Sequence, residues 1–569
     1  MHTFPRRFAF QLPVAEVVRL PALVLAVVLG LLPGGSVRAD EADPSAAIGE
    51  CCNFEPSHPV AGSLVICGGG KLPALVLDRF LKLAGGERAR IVVIPTASAL
   101  AGTPEVEKKL EFLRRAKLAA LNILHTRSRT TADDPAFVRP LEKATGVWFT
   151  GGFQWRLADT YLGTAVDRLV HAVLDRGGVV GGTSSGAAIM STLMIRRSNP
   201  DPEVGRGFDF LSGTVIDQHF IKRQRQGRLV HVLASHPGYV GLGIDEGTAL
   251  VAQGRRLRVI GDSQVIACLS AGPSRPLRMQ VLKSGDEVDL IALSRAAIAR
   301  ARPARPAPPT PPRVERGSLV IVGGGRTPPE AVRQFIAAAG GPDAPLVVVT
   351  TAQAQRPADA EAIGWLLKAG ARRVRQLFTS DRHQASDPQV LAMLAAARGI
   401  WFDGGRQWRL VDAYLDTEAQ HLFQQVLERG GVIGGTSAGA TIQAGYLLRG
   451  SPLGNTEVIA EGYERGFGFL RGVAIDQHFS QRSRLPDMAQ VRARHPELVG
   501  LGLDEDTALI VRGRECQVVG RGSVSVFARA ADGASAVPPR EILRAGDRYD
   551  FQAARVQHAA NSASVAEAK

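Results

Sequence analysis

Residues 178–190 read GVVGGTSSGAAIM, and residues 431–443 read GVIGGTSAGATIQ. Each begins with a β-branched apolar pair, narrows to glycines and turns at a serine. A short apolar run that stops at a glycine turn and resumes with helix-compatible residues reads as a buried strand entering a helix. In the pattern G-x-S-x-G the glycines relieve crowding at a sharp bend, and the central hydroxyl projects above the sheet. The register selects Ser184, between Gly182 and Gly186, and Ser437, between Gly435 and Gly439. Ser185 is not required by the pattern, because Ala438 replaces it in the second stretch. The run AAIMSTLM after the first serine is expected to be helical. Its N-terminus would offer free N–H groups and a positive dipole end to a forming oxyanion.

Outward from these turns the chain is written twice. GSLVICGGG (62–70) returns as GSLVIVGGG (317–325), and VWFTGGFQWRLADTYL (147–162) as IWFDGGRQWRLVDAYL (400–415). FDFLSGTVIDQHF (208–220) returns as FGFLRGVAIDQHF (467–479), and VGLGIDEGTALV (240–251) as VGLGLDEDTALI (499–510). The order is preserved and the offset drifts only from 253 to 259. This is a tandem duplication. Between the copies, ARARPARPAPPTPPR (299–313) carries too much proline for a helix or a central strand and reads as an extended linker. Within each copy, buried strands (SLVIC, ARIVVIPTAS) alternate with helical patterns (74–86 and 105–120). Strand–helix alternation implies an α/β fold: a mostly parallel sheet with helices on both faces and sites at the carboxyl ends of the strands.

The whole chain sets the bounds. Its 569 residues are 45% hydrophobic and 21% charged, which is globular composition. The net charge of +14 is basic, but no lysine–arginine block is interleaved with aromatics, so nucleic acid is not an expected partner. Arg6, Arg7 and Arg19 precede an apolar run from Leu20 to Leu32, and SVRADEADP offers a cleavage site after Ala39. That pattern predicts a signal peptide (1–39) and an exported protein, periplasmic or secreted; an uncleaved anchor is the alternative. The expected division is a signal peptide, an N-terminal extension (40–59), domain 1 (60–298), a linker (299–316), and domain 2 (317–569) ending in a flexible tail. Five cysteines fit neither a metal site nor a complete disulfide framework, and Cys67 is expected to pack as a small apolar residue.

A serine needs a base, and the base needs an orienting carboxylate. His219 and His478 end the repeated IDQH segments. The repeated GxDE segments supply Glu246 and Glu505, with Asp217, Asp245, Asp476 and Asp504 as competing carboxylates by sequence alone.

Several motifs in one order now carry a resemblance: GGG after the first strand, IPTAS, FTGGxQ, GTSSGA, IDQHFxxRxRxGRL and GIDExTAL. The units resemble cyanophycinases and the wider S51 serine peptidase family, which includes aspartyl dipeptidases. The resemblance implies two tandem flavodoxin-like, doubly wound domains and a serine–histidine–glutamate triad. By that likeness the triads are Ser184, His219 and Glu246, and Ser437, His478 and Glu505. It implies oxyanion donors at the backbone N–H groups of Gly152 and Ser185, and of Gly405 and Ala438. It implies substrate contacts at Gln154, Asp217, Gln218, Arg223, Arg225 and Arg228. In copy two these fall at Gln407, Asp476, Gln477, Arg482 and Arg484. The substrate implied is cyanophycin, a poly-aspartate bearing arginine on its side-chain carboxyls, cleaved through an acyl-enzyme to β-Asp-Arg dipeptides. No cofactor and no metal are implied.

Copy two departs from the pattern. The third arginine position falls at Asp487, whose carboxylate is expected to repel an aspartyl substrate, and IPTAS has become VTTAQ. Phe153 and Arg406 stand where the family favours aspartate. Other S51 specificity, for aspartyl peptides or isopeptides, is one alternative. A secreted binding protein with unused triads is another. A glutamine amidotransferase is excluded, since those elbows carry cysteine. The two units are expected to pair within the chain as a pseudo-dimer, or the chain to form a homodimer.

Overall fold

The computed structural model describes residues 55–105, 110–198, 201–273, 275–302, 311–530 and 540–559. The expected signal peptide, Cys51, Cys52, most of the N-terminal extension, linker residues 303–310 and tail residues 560–569 lie outside the described residues.

The first half is built on a parallel run of five strands: β1 (Val60–Cys67), β2 (Arg90–Ile94), β3 (Ala120–Ile123), β4 (Gly146–Phe149) and β5 (Val179–Thr183). Their spatial order is β1-β5-β4-β2-β3, all pairs parallel. β1, β2 and β4 are almost continuously buried, as expected of strands covered on both faces. Helix Ala74–Leu83 buries Val76 and Phe80, and helix Ala165–Asp175 buries Val166, Val170 and Val173. β10 (Thr248–Gly254) adds antiparallel to the free edge of β1.

A second sheet stands beside the first. It contains β6 (Ser191–Ser198), β7 (Pro202–Arg206), β8 (Leu211–Gln218), β9 (Val240–Ile244) and two further antiparallel strands, with β6-β8-β9 parallel. The second half repeats the plan. The parallel run there is Val314–Val322, Val432–Thr436, Gly399–Phe402, Leu346–Val349 and Val374–Leu377. Its smaller sheet carries Leu470–Gln477 beside Val499–Leu503.

Two local expectations are corrected. The helix expected over 105–120 survives, among the described residues, only as Glu111–Arg115. Ala120 onward is drawn into β3 by pairing with β2, and sheet pairing overrides the helical propensity of an alanine-rich stretch. The helix after Ser184 is a single turn, Ser185–Ala188, and the following residues become β6. So short a helix has little macrodipole, and any oxyanion there meets individual N–H groups instead. Ordered elements also enter the expected linker from both sides: helix Leu290–Ala301 and the strand beginning at Val314.

The described residues fall in one compact unit, and the halves meet through ion pairs. Asp412 receives Arg255 at 3.0 Å and Arg295 at 2.6 Å, and the Tyr463 hydroxyl donates to it at 3.1 Å. Glu461 receives Arg275 at 2.8 Å and Arg300 at 2.7 Å. No helix among the described residues is long and apolar enough to cross a membrane.

Candidate active site

The turns after β1, β4, β5, β8 and β9 converge between the two sheets of each half. The large sheet brings the serine and the small one brings histidine and glutamate. Ser184 follows β5 at φ 53°, ψ −113°, a conformation that costs a non-glycine residue on the order of 1–3 kcal/mol and that clusters at functional sites. Its N–H donates to Cys67 O at 3.0 Å. The flanking glycines are required by close approach: a β-carbon at Gly182 would lie 2.4 Å from Gly186 O, and one at Gly186 would lie 2.3 Å from Phe149 O. His219 follows β8 at φ 49°, and its N–H donates to Gly68 O at 2.7 Å.

Ser184 Oγ lies 2.8 Å from His219 Nε2, and His219 Nδ1 lies 2.6 Å from Glu246 Oε1. In the second half Ser437 Oγ to His478 Nε2 is 3.0 Å, and His478 Nδ1 to Glu505 Oε1 is 2.5 Å. The competing carboxylates are engaged elsewhere. Asp245 accepts from the N–H groups of Ile221 (3.1 Å) and Lys222 (2.9 Å) and from Ser263 Oγ (2.8 Å), so it braces the backbone just after the histidine. Burial alone would raise its carboxyl, but these hydrogen bonds hold it below the ordinary range. Burial lowers the His219 imidazole. Arg223 and Arg225 add repulsion, and the Glu246 hydrogen bond and charge offset part of it. His478 is lowered by the same causes, with Arg482 and Arg484 as the cations. Both imidazoles are therefore neutral near pH 7, as acceptance of a serine proton requires.

Gly152 and Ser185 lie together beside Ser184. Gly152 has φ 151°, and a β-carbon there would lie 2.1 Å from Ala97 O. Ser185 Oγ sits 2.5 Å from Gly152 O and 2.9 Å from Gln154 Oε1, while Gln154 Nε2 donates to Ile195 O at 2.6 Å. Gly405, at φ 143°, and Ala438 repeat the arrangement without the hydroxyl. Gln407 is fully buried there, whereas Gln154 is half-buried.

The basic segment divides. Arg223 and Arg482 are exposed. Arg225 donates to Gln218 O at 2.8 Å and also contacts Gln218 Oε1; Arg228 Nε donates to the buried Asp217 at 2.9 Å. In the second half the buried Asp476 takes Arg484 at 2.7 Å and Arg449 at 2.8 Å, and Arg484 also donates to Gln477 O at 2.6 Å. Asp487 lies 2.6 Å from the same Arg449. Asp487, expected to stand as a repelling carboxylate, is thus ion-paired within the fold. Arg449 supplies the cation that Arg228 supplies in the first half. Nothing in the basic motif could have signalled it, because it comes from the stretch after the elbow.

Two further differences between the copies turn out to be one. Gln353, from VTTAQ, donates to Asp403 Oδ2 at 2.7 Å; their counterparts are Ser98 and Thr150. Burial raises the Asp403 carboxyl despite the bonds from Gly404 and Gln353. Cys67, Cys268 and Cys516 are free and buried, with the Cys516 thiol pushed up to about 12 by desolvation. Among the described residues no cluster of histidine, cysteine, aspartate or glutamate is arranged to hold a metal ion.

The sequence model of peptidase family S51 matches residues 64–260 and again 319–519. The chain belongs to this family, in tandem, and is by that membership a serine-type peptidase. The cyanophycinase of Geminocystis herdmanii is 33% identical over 201 residues, covering 33% of this chain and 73% of that protein. The cyanophycinase of Synechococcus elongatus is 33% identical over 201 residues, and the match spans 62% of its length. A crystal structure of a peptidase from an acI-B1 Actinobacterium is 26% identical, covering 41% of this chain and 98% of that one, with a TM-score of 0.33.

Proposed function

We propose that this is an exported, cyanophycinase-like peptidase that hydrolyses cyanophycin to β-Asp-Arg dipeptides through acyl-enzymes at Ser184 and Ser437. The observation that carries the reading is the continuous contact from Ser184 Oγ through the His219 ring to Glu246. His219 Nε2 takes the Ser184 proton as Oγ attacks the scissile carbonyl carbon. Glu246, bonded to Nδ1, fixes the tautomer and stabilises the imidazolium. The N–H groups of Gly152 and Ser185 face the oxyanion. The imidazolium then protonates the leaving nitrogen and the C–N bond breaks. Water gives a proton to His219 and attacks the ester, and Ser184 leaves with its proton restored. Glu505, His478 and Ser437 act in the same roles, with Gly405 and Ala438 as donors.

The exposed Arg223 and Arg482 would meet substrate carboxylates, for which a guanidinium fork is suited. Gln154, Gln218 and the pairs Asp217–Arg228 and Asp476–Arg449 shape the pocket behind them. A second reading, cleavage of other aspartyl peptides or isopeptides, is favoured for the second half by the Gln353–Asp403 pair and by Arg406. The ion pairs at Asp412 and Glu461 support pairing of the halves as an intrachain pseudo-dimer, which a light-scattering mass of one chain would bear out. The decisive test incubates wild type, Ser184→Ala, Ser437→Ala and the double variant with cyanophycin and short Asp-X peptides and identifies products by mass. Turnover that survives loss of both serines would end the reading.

A further inference from the structure

Between the halves lies a cleft of about 210 Å³, lined from both sides and touching neither Ser184 nor Ser437. Four guanidiniums and two imidazoles face it, against the carboxylates of Asp381 and Asp412. Two of the guanidiniums are matched: Arg255 by Asp289 and Asp412, and Arg295 by Asp412. Asp381 is engaged with Gln384 N at 3.0 Å and Ser380 Oγ at 3.1 Å. Arg382 and Arg409 are different. Arg382 donates only to the main-chain oxygens of Leu415 (2.6 Å) and Asp416 (3.2 Å), and Arg409 to Ala352 O (2.9 Å). Among the described residues neither has a carboxylate at ion-pair distance. Glu55 and Asp416 line the adjoining part of the cleft, but Asp416 is held by Arg465 at 2.7 Å.

Carboxylates lie near these two guanidiniums but none pairs with them directly, so both keep N–H groups that an anion entering the cleft could take. We propose that this cleft binds a small dianion between Arg382 and Arg409, with His58 and His383 at its mouth. Planar guanidiniums present paired N–H groups to carboxylate or phosphate oxygens. Trp408 braces the wall, with Arg255 4.2 Å and Arg409 4.9 Å from its ring centre. Burial and then Arg295 lower Arg382, with Glu55, Asp416 and Asp412 offsetting part of this from beyond ion-pair distance; burial, Arg406 and Arg255 lower Arg409. The His58 and His383 rings lie 5.8 Å apart. Because the wall is shared, an occupant would bridge the halves. The site is independent of the triads, so it stands or falls separately from the catalytic reading.

The test titrates the full chain with inorganic phosphate, and separately with succinate, by calorimetry against chloride at matched ionic strength. Saturable binding of at least one dianion is expected in wild type and in the surface control Arg372→Gln. It should weaken tenfold or more in Arg382→Gln and Arg409→Gln. His383→Glu, at an exposed position, adds negative charge without removing a main-chain bond and should weaken binding likewise if either arginine variant fails to fold. Binding no stronger than that of chloride, or affinity unchanged in the folded variants, would overturn the proposal.

Discussion

Gly69 lies directly beneath His219: a β-carbon on Gly69 would stand 2.3 Å from the imidazole Cε1. The glycine turn after the first strand is the floor on which the ring rests, and Gly324 repeats the relation to His478 at 2.2 Å. Gly69→Ala should therefore push the ring off the serine. A displacement of about 1 Å at such a site can cost on the order of 100-fold in rate. The expected outcome is a fall of that size or more in kcat for the first site, with thermal melting shifted by only a few degrees. An unchanged kcat would detach the glycine turn from catalysis.

How much of this was legible in the sequence follows from what each motif encodes. The strand ends and the elbows were legible, because β-branched runs and flanking glycines report local geometry. The choice of Glu246 over Asp245 was legible only through the family resemblance, since adjacent acids differ only in which way the turn after β9 points them. Asp245 turns back to bond Ile221 and Lys222. The one-turn helix after Ser184 was illegible because β6–β8 pairing, a long-range contact, decides it. The role of Arg449 was invisible for the same reason.

Covalent labelling would count the working nucleophiles. With a serine-directed phosphonate, wild type should gain two adducts by intact mass, Ser184→Ala one, Ser437→Ala one, and the double variant none. Hydrolysis by the double variant should fall by three or more powers of ten, about the loss expected when a nucleophile is removed. A single adduct on wild type would mean that only one half is competent.

The pH dependence has a definite sign. Burial, first, and then the nearby arginines lower His219 and His478, so each ring stays neutral to a lower pH than a free histidine does. The acidic limb of kcat/KM should therefore fall below the ordinary histidine midpoint of about 6.5. Arg223→Gln removes one repulsive cation and should move that limb upward. Movement downward would contradict the electrostatic account.

In the second half, Asp476 and Arg449 form a fully buried pair. Arg449→Met removes the cation and leaves Asp476 with Arg484 alone, and Asp487 with no partner at that position. Breaking one member of a buried pair typically costs about 3–5 kcal/mol. Because Asp487 is partly exposed and can rehydrate, the lower end is expected. Arg449→Met with Asp487→Asn should recover part of the loss, and a double-mutant cycle from denaturant melts would measure the coupling. Additivity of the two changes would mean that the 2.6 Å contact contributes nothing.

Asp412 is the point on which the pairing of the halves turns. It accepts two arginines from the first half and a tyrosine hydroxyl from its own. Burial alone would lower Arg255, but bonds and charges from Asp289, Tyr463 and Asp412 hold it well above the ordinary arginine range. Asp412→Asn keeps the shape and removes the charge, so Arg295, which is buried, loses its carboxylate. The cost should again be about 3–5 kcal/mol, paid at the interface and not in either core. Calorimetry should then resolve two transitions where wild type gives one, because the halves have separate sheets and largely separate apolar clusters, bridged at Ala292. Proteolysis in the proline-rich stretch should separate the halves of the variant on a sizing column while those of wild type stay together. If the nicked variant also stays together, the association rests on apolar contact and not on Asp412.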